Sequence, residues 1–457
     1  MNICRQIVRG ARTVRADDFL AALLTVLLVA PVAHAQTAPA DLCGISGQYA
    51  PVISPNIFSG PISPQSDQAL ECVMWQSFIY LNWPAQEIAP GSPDATKPFG
   101  STAPTVWQTF KTHDQVFLPG GAAPGPWRDR TVPQAFSSSR LADSIAKSQT
   151  RVLRQATKVS PDLASSGQHA LGQITQALGG QLFDQNGQPV YYEMLLNQDL
   201  YNYIVRYRLY AADSQLTHAL QNGIKLPSGR SEDGETGTIE IKAAWKIMSA
   251  AELAQRPLRF HTMPAVLNGD RHVTVGLVGM HIHQRIAAFP QGVWATFGQI
   301  DNSPLASDQN HLRRYSFFNA ECDRCEPNTQ TPTGTPTQVV RKFPNTSTVE
   351  RINVYVRDLI DSYGRNLGNP NIPWQYYELL GVQWPKHPEE VGSAGQTTPL
   401  PFGDPNRDTL MNPVLETFMQ FDRINCVVCH AGANLRRPAP NGSPLGAGYS
   451  FLLGHAE

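Results

Sequence analysis

Alternation of hydrophobic and polar positions marks the clearest strand in the chain. Between residues 238 and 247, Ile, Ala and Trp at the odd-numbered positions alternate with polar or small residues, and a period of two is typical of a strand with one buried face. Residues 273–283 are dense in Val, Leu and Gly and predict a second, fully buried strand. Residues 258–267 are expected to lie beside it, although Pro264 interrupts them.

A spacing of three or four residues between apolar positions predicts helices elsewhere. Residues 66–82 carry such a stripe and end just before Pro84. Residues 349–363 carry another, with Gly364 as the expected stop. Residues 199–210 fit a helix or a strand, and the pattern leaves both open.

Proline and glycine divide the rest of the chain. Residues 84–135 are rich in Pro, Gly and Ser and are expected to form a long surface loop. Residues 327–340 form a Thr/Pro-rich connector, the best candidate for a domain boundary. The last helix is predicted to begin with Asn412 as its cap and Pro413 in its first turn.

These elements together predict an α+β fold. We expect a β-centred body with long Pro/Gly-rich loops at residues 36–326, the connector at 327–340, and a helical C-terminal segment at 341–457 that contains the motif described below.

The first 35 residues have the pattern of a secretory signal peptide. Four arginines precede an apolar stretch at residues 19–31, and Ala33-His34-Ala35 provides a small-x-small cleavage site before Gln36. The apolar stretch is shorter than the roughly 20 residues that a membrane-spanning helix needs, and no later segment is a candidate. We therefore expect an exported, periplasmic protein that has no membrane span once residues 1–35 are removed.

Composition narrows the class of protein. The 36 Lys and Arg residues are balanced by 37 Asp and Glu residues, whereas a nucleic-acid binder carries a strong basic excess. Hydrophobic residues make up 41% of the chain, which excludes extensive disorder. We expect a soluble globular protein whose function is encoded in local motifs.

The cysteines supply the strongest motif. Cys426-Val427-Val428-Cys429-His430 is the C-x-x-C-H pattern of covalent haem c attachment. Two thiols three residues apart on a helical turn face the same side, so both can add to the vinyl groups of one porphyrin while His430 binds the iron. The competing interpretation is a C-x-x-C disulfide followed by an incidental histidine.

The remaining cysteines of the exported chain are expected to be paired. Cys322-Asp323-Arg324-Cys325 lacks a following histidine, and once Cys426 and Cys429 are assigned to haem no second C-x-x-C pair is left to build a zinc site with it. A local Cys322–Cys325 disulfide is therefore predicted, with Cys43–Cys72 as the other pair.

With this motif, the sequence resembles the c-type cytochromes, and in particular the large, exported, single-haem proteins of the cytochrome c family whose attachment motif lies close to the C-terminus. The resemblance includes further stretches, at residues 78–84, 276–282, 294–297, 415–419 and 449–453. It implies one covalent haem c, export and redox chemistry, and it implies no particular substrate. The chain departs from small cytochromes because no methionine follows His430, so a sixth iron ligand would be His455 or a residue far upstream.

His281 and His283 are the upstream candidates that the sequence favours. They lie two apart on a predicted strand, so both rings point to one face. They could supply a distal haem ligand, a catalytic acid or base for bound peroxide or oxygen, part of a second metal site, or simply a hydrogen-bonded pair at a strand end. His261 and His455 are further candidates for the distal ligand.

Three functions stay open at this point. The first is an electron-transfer cytochrome with a periplasmic redox protein as its partner. The second is a haem enzyme, a peroxidase- or oxygenase-like oxidoreductase that acts on a small molecule at an open iron. The third is a haem sensor. About 420 residues around one haem exceed the roughly 100 that a single domain needs, which favours a second role, but no substrate site is recognisable and electron transfer is the leading interpretation.

Overall fold

The computed structural model describes most of the chain after the predicted leader. The described residues are 42–43, 51–57, 66–129, 151–153, 180–229, 236–267, 271–308, 314–389, 392–401 and 403–457. The predicted signal peptide, residues 1–35, lies outside them.

A mixed sheet organises the fold. Its eight strands in the described residues are β1 (Lys111–Thr112), β2 (Arg151–Leu153), β3 (Tyr191–Leu196), β4 (Ile239–Ile247), β5 (Thr262–Leu267), β6 (Arg271–Ile286), β7 (Phe289–Gln299) and β8 (Tyr377–Gln383). The long strand β6 pairs with β4 on one side, and with β5 and then β7 on the other. β3 and β1 extend the sheet beyond β4, and β8 extends it beyond β7. β2 and β5 are parallel, and the other pairs are antiparallel.

Helices occupy positions before, between and after the strands. They are α1 (Asp67–Leu81), α2 (Gln198–Arg206), α3 (Ala212–Asn222), α4 (Ala250–Leu253), α5 (Ser347–Asn366) and α6 (Cys426–Ala431). α1 and α5 confirm two predicted helices, and α2 decides the open choice at residues 199–210. The fold is therefore α+β, as expected.

One face of the sheet is covered by α1 and α5. Trp75 and Phe78 of α1 pack on Phe297 of β7, with ring centroids 5.0 and 4.3 Å apart. The Asn353 side chain of α5 accepts a hydrogen bond from Trp75 Nε1 and donates one to the Leu379 carbonyl of β8. This buried amide connects both helices to the sheet, and its polar atoms are satisfied.

The C-terminal part of the chain covers the opposite face. The Asn412 side chain donates to Thr296 Oγ1 of β7, and the Val414 carbonyl accepts from the Tyr192 hydroxyl of β3. Val414 and Leu415 are buried in the same apolar cluster as Tyr192. The sheet is therefore buried on both faces over its central strands.

The prediction of a half-buried strand at residues 238–247 is wrong for this reason. β4 buries Glu240 and Lys246 as well as its isoleucines, because the C-terminal chain and the loops cover its polar face. Burying a charge is costly unless it is paired. Lys246 meets this condition, since it forms ion pairs with Asp184 and Glu252.

The predicted last helix does not begin at Asn412. The Asn412 side chain is bound to the sheet, and its backbone N–H donates to the Glu416 carboxylate, so the chain turns here instead of coiling. α6 begins at Cys426, where the Asn425 side chain accepts from the Val428 N–H at 2.8 Å. The predicted helical character of residues 341–457 is not confirmed, because strand β8 lies between α5 and α6.

Two smaller predictions also need correction. Gly364 does not end α5, which continues to Asn366; the Asn369 carbonyl approaches Gly364 so closely that a Cβ would have no room. The described part of the predicted surface loop, residues 84–129, buries Trp107 and Phe110 in the core. The composition predicted a loop in this region, whereas the burial of its aromatic side chains depends on how the loop packs against the rest of the protein.

The predicted disulfides are confirmed, whereas the predicted connector at 327–340 does not separate two compact units. Residues 38–457 form one compact unit, and within it β8 follows the predicted connector at 327–340 yet pairs with β7, which precedes it. Both predicted disulfides, Cys43–Cys72 and Cys322–Cys325, are present. Among the described helices, none has the length and apolar character that a membrane crossing requires.

The packing of α5 predicts a sharp contrast between two neighbouring valines. Val356 is fully buried, whereas Val354 is 55% exposed. Val356→Ala should lower the free energy of unfolding by about 2 kcal/mol, because it removes two buried methyl groups. Val354→Ala should change it by only a few tenths of a kcal/mol, since alanine is the better helix former. Urea unfolding of both variants measures this, and equal losses would contradict the packing of α5.

Candidate functional site

The C-x-x-C-H motif forms a short helix that is anchored to the sheet. α6 holds both cysteines and His430 within one and a half turns. Its first N–H group, that of Cys426, donates to the Gln383 side chain of β8 at 2.8 Å. A side-chain cap and a contact to the sheet therefore satisfy donors that a helix N-terminus would otherwise leave unpaired.

The two cysteines of the motif are free thiols. The other cysteines in the described residues form the two disulfides, whereas Cys426 and Cys429 are partly buried and unpaired. Burial is the larger and the nearby Glu416 carboxylate the smaller cause that together raise the pKa of Cys429 to about 11. The same two causes raise the pKa of Cys426. Both side chains are thus held as neutral thiols in this protein.

His430 is held in a single tautomer by the chain that follows it. Its Nδ1 lies 2.7 Å from the Tyr449 carbonyl oxygen. A carbonyl can only accept, so Nδ1 carries the hydrogen. Burial, aided by the neighbouring His283, lowers the pKa of His430 to about 4, so the ring is neutral at pH 7 and Nε2 carries a lone pair. Histidines that bind metals are commonly oriented by such a bond.

The sheet face beneath α6 carries a row of polar and aromatic side chains across four strands. Glu240 of β4, His283 of β6, Trp294 of β7 and Gln383 of β8 are direct partners in the strand register, so their side chains share one face. Gln383 contacts α6 at its first residue, and the rings of Trp294 and His283 lie beside His430. We call these four residues the first row.

His283 is the candidate histidine that lies nearest to the motif. Its ring is stacked on Trp294, with centroids 4.3 Å apart and planes 8° apart, and its centroid lies 5.8 Å from that of His430. Gly292 provides the space, because a Cβ at that position would overlap Nε2 of His283. Burial lowers the pKa of His283 more strongly than the neighbouring Glu240 raises it.

His281 belongs to a second row, one step further along the strands. Its Nε2 lies 2.8 Å from Glu416 Oε1, and Lys242 of β4 is its partner in the register. Burial alone would raise the pKa of Glu416, but His281, Lys242 and the Asn412 N–H outweigh it and lower that pKa to about 2. The Glu416 carboxylate lies close enough to both thiols for its charge to raise their pKa values.

The other two candidate histidines lie against different parts of the molecule. The His261 ring stacks on Trp374 with centroids 4.4 Å apart, and its Nε2 lies 2.7 Å from Gln108 Nε2. The His455 ring packs against His113, with centroids 4.6 Å apart. The structure therefore brings His281 and His283 to the motif and leaves His261 and His455 with other partners.

The donor set fits a haem c group. Two neutral thiols and a histidine with a free lone pair are the groups that thioether attachment and axial ligation require. The Nε1–H of Trp294, a buried ring next to His430, has no acceptor among the described residues, and an acceptor group bound there would satisfy it. Within the described residues, no three His, Cys, Asp or Glu side chains converge to hold an ion by themselves; a haem brings its own nitrogen ligands and does not need such a cluster.

Comparisons with protein-family models, with curated protein sequences and with solved structures return no match for this chain. The interpretation of the site therefore depends on its own residues and their geometry.

Sequence reasoning missed several residues of the site. The sequence gives no site role to Glu240, Glu416 or Tyr449, although Glu416 and Tyr449 lie in the stretches at 415–419 and 449–453, which carry the resemblance together with the stretch at 294–297. Those stretches meet around α6 in the structure. Glu240 had a weaker signal, a charged residue in a strand of high hydrophobicity.

The Glu416–His281 pair predicts a specific dependence of stability on pH. Because folding lowers the pKa of Glu416 from 4.5 to about 2, its contribution is fully present above about pH 4.5 and is lost as the pH falls toward 2. Glu416→Gln should cost up to about 3 kcal/mol near pH 6, with a difference from wild type that shrinks in acid. Urea unfolding between about pH 6 and pH 2 measures this. The exposed Glu389→Gln serves as control, and a constant difference at Glu416 would contradict the assignment.

Proposed function

We propose that this chain is an exported c-type cytochrome that carries one covalently attached haem c and acts in electron transfer. The observation that supports it most directly is the state of the motif: two free thiols and a neutral, oriented histidine on one short helix. Cys426 and Cys429 would form the thioether bonds, and Nε2 of His430 would be the proximal ligand. The bound haem would supply one-electron chemistry at its iron.

Each neighbouring residue then has a definite task. The Tyr449 carbonyl orients the His430 ring through Nδ1 and makes Nε2 more basic. Trp294 and Tyr449 pack with Val427 and Ala431 in an apolar cluster, which shields the attachment helix from water on its sheet side. Gln383 holds the start of the helix. A rigid protein environment that excludes water lowers the reorganisation energy of electron transfer.

For the distal side of the haem, the sheet face is the favoured source of groups. His283 and His281 are the candidate histidines that lie with α6, whereas His261 and His455 lie against other residues. We propose His283 as the first candidate and His281 as the second. Both have partners in the protein, so ligation by either would require its ring to leave a hydrogen bond or an ion pair.

A haem enzyme is the second candidate function, and the His281–Glu416 pair favours it. A histidine held by a carboxylate at 2.8 Å next to the attachment helix can take up and release a proton. Such a pair would serve reduction of peroxide or oxidation of a small molecule at an open iron. An electron-transfer protein does not need it for its basic task.

Location and partner are part of the same proposal. The basic and apolar pattern of residues 1–35 suggests export, and the two disulfides are compatible with an oxidising compartment such as the periplasm. A second redox protein of that compartment would then supply or accept the electron.

Covalent attachment is tested by the cysteines themselves. Cys426→Ser combined with Cys429→Ser should abolish the haem that stays with the polypeptide in denaturing gels, because no thioether can form. Cys322→Ser with Cys325→Ser removes a pair of the same spacing and should leave the retained haem unchanged. Haem staining and mass spectrometry of protein purified from the periplasm measure both. Loss of haem from the unmodified protein under denaturation would rule the proposal out.

The two functions are separated by the state of the iron. An electron carrier should have an iron that is low-spin in the ferric state and binds CO slowly in the ferrous state, whereas a high-spin ferric iron that reacts with peroxide favours the enzyme. His283→Ala and His281→Ala should change the spin state or the CO affinity, while His261→Ala and His455→Ala should not. Optical and electron paramagnetic resonance spectra measure this, and unchanged spectra in both strand variants would remove the sheet face as the distal side.

A further inference from the structure

Tyr449 adopts a backbone conformation that few residues other than glycine accept. Its φ is +62°, in the left-handed region, which costs a residue with a side chain of order 1 kcal/mol. Its hydroxyl holds it there by donating to the Pro401 carbonyl at 2.8 Å, with the Gln291 side chain 3.1 Å away. The conformation directs the Tyr449 carbonyl at His430 Nδ1.

A buried arginine fixes the preceding residue. Arg285 is 2% exposed, and its guanidinium donates to the carbonyls of Pro290 and Gly448. Gly448 has a φ of +59°, and a Cβ there would press on Ile224. Arg285 thus binds the Gly448 carbonyl, which directly precedes the Tyr449 carbonyl that orients His430.

Burying the positive charge of Arg285 costs free energy. Its N–H groups donate hydrogen bonds that offset part of this cost. Burial lowers the pKa of Arg285 to about 10, so the group stays protonated at neutral pH. The nearby Glu240 offsets the charge of Arg285, but the hydrogen bonds of the guanidinium go to backbone carbonyls. Each terminal nitrogen of the planar guanidinium donates to one of the two carbonyls, whereas a lysine ends in a single nitrogen and lacks this fixed geometry.

We propose that Arg285 and Tyr449 are positioning residues for the haem ligand: they clamp the Gly448–Tyr449 segment so that its carbonyl stays on His430 Nδ1 and thereby lowers the reduction potential of the haem. This inference rests on the proposed attachment at His430. A firm Nδ1–H···O bond makes the imidazole a stronger electron donor, and a stronger donor favours the oxidised iron. Loosening the clamp therefore shifts the potential upward.

Arg285→Lys is the decisive variant because it keeps the positive charge beside Glu240 and removes the double grip. At a fixed potential, the ratio of oxidised to reduced protein should fall about threefold to tenfold, tenfold being 59 mV for one electron. The His430 Nδ1–H should also exchange faster with solvent, as followed by NMR of the haem-loaded protein. A redox titration and this exchange rate are two readouts that a general loss of stability does not move together.

Arg341→Lys is the matched control, and Tyr449→Phe is the second test. Arg341 is also buried, but it pairs with Glu378 and contacts neither Gly448 nor Tyr449; its variant should keep the wild-type potential and exchange rate. Tyr449→Phe removes the hydroxyl anchor without a change of charge and should shift both readouts in the same direction as Arg285→Lys, so the test survives if the arginine variant does not fold.

The possible failures are distinguishable. A wild-type protein that carries no covalent haem overturns the proposed function and this inference together. Haem-loaded Arg285→Lys and Tyr449→Phe proteins with the wild-type potential and wild-type Nδ1–H exchange overturn this inference alone. An equal shift in Arg341→Lys also overturns it, because the effect would then follow from any weakened buried arginine.

Discussion

The register of β6 against its neighbours is the constraint on which the site depends. It places Glu240, His283, Trp294 and Gln383 in one row on one face of the sheet. Because side chains alternate along a strand, a slip of one residue would send this row to the face packed by α1 and α5. The register is held by that apolar face, where Trp75 and Phe78 meet Phe297. A hydrophobic core on one side thus fixes the polar arrangement on the other.

The C-terminal chain completes what the sheet begins. It has little regular structure of its own, and hydrogen bonds of Asn412, Glu416 and Cys426 connect it to side chains of the strands. The Tyr449 carbonyl then orients His430 at the end of α6. The helix that carries the motif, α6, is only six residues long, too short to be stable by itself. Its geometry therefore comes from the sheet, the cap at Asn425 and the segment around Tyr449.

Buried charge is unusually prominent on this face, and its pairing explains why it is tolerated. Glu240 lies near His283 and Arg285, and Glu416 lies near His281 and Lys242. Two carboxylates and several basic groups near one another act as a preorganised polar environment. The C-terminal chain keeps these charged groups buried. The electrostatics of the site therefore depend on how that chain packs on the sheet.

The sequence by itself determined the elements and the chemistry that local spacing encodes. The stripe of α1, the alternation of β4, the two disulfides and the C-x-x-C-H motif were all readable, because each depends on residues a few positions apart or on simple pairing. Tertiary structure alone decided that β4 is buried on both faces, that the chain turns at Asn412, and that His283 rather than His261 lies beside His430. These outcomes depend on contacts between residues more than a hundred positions apart, and no local pattern records which face of a strand a distant segment will cover.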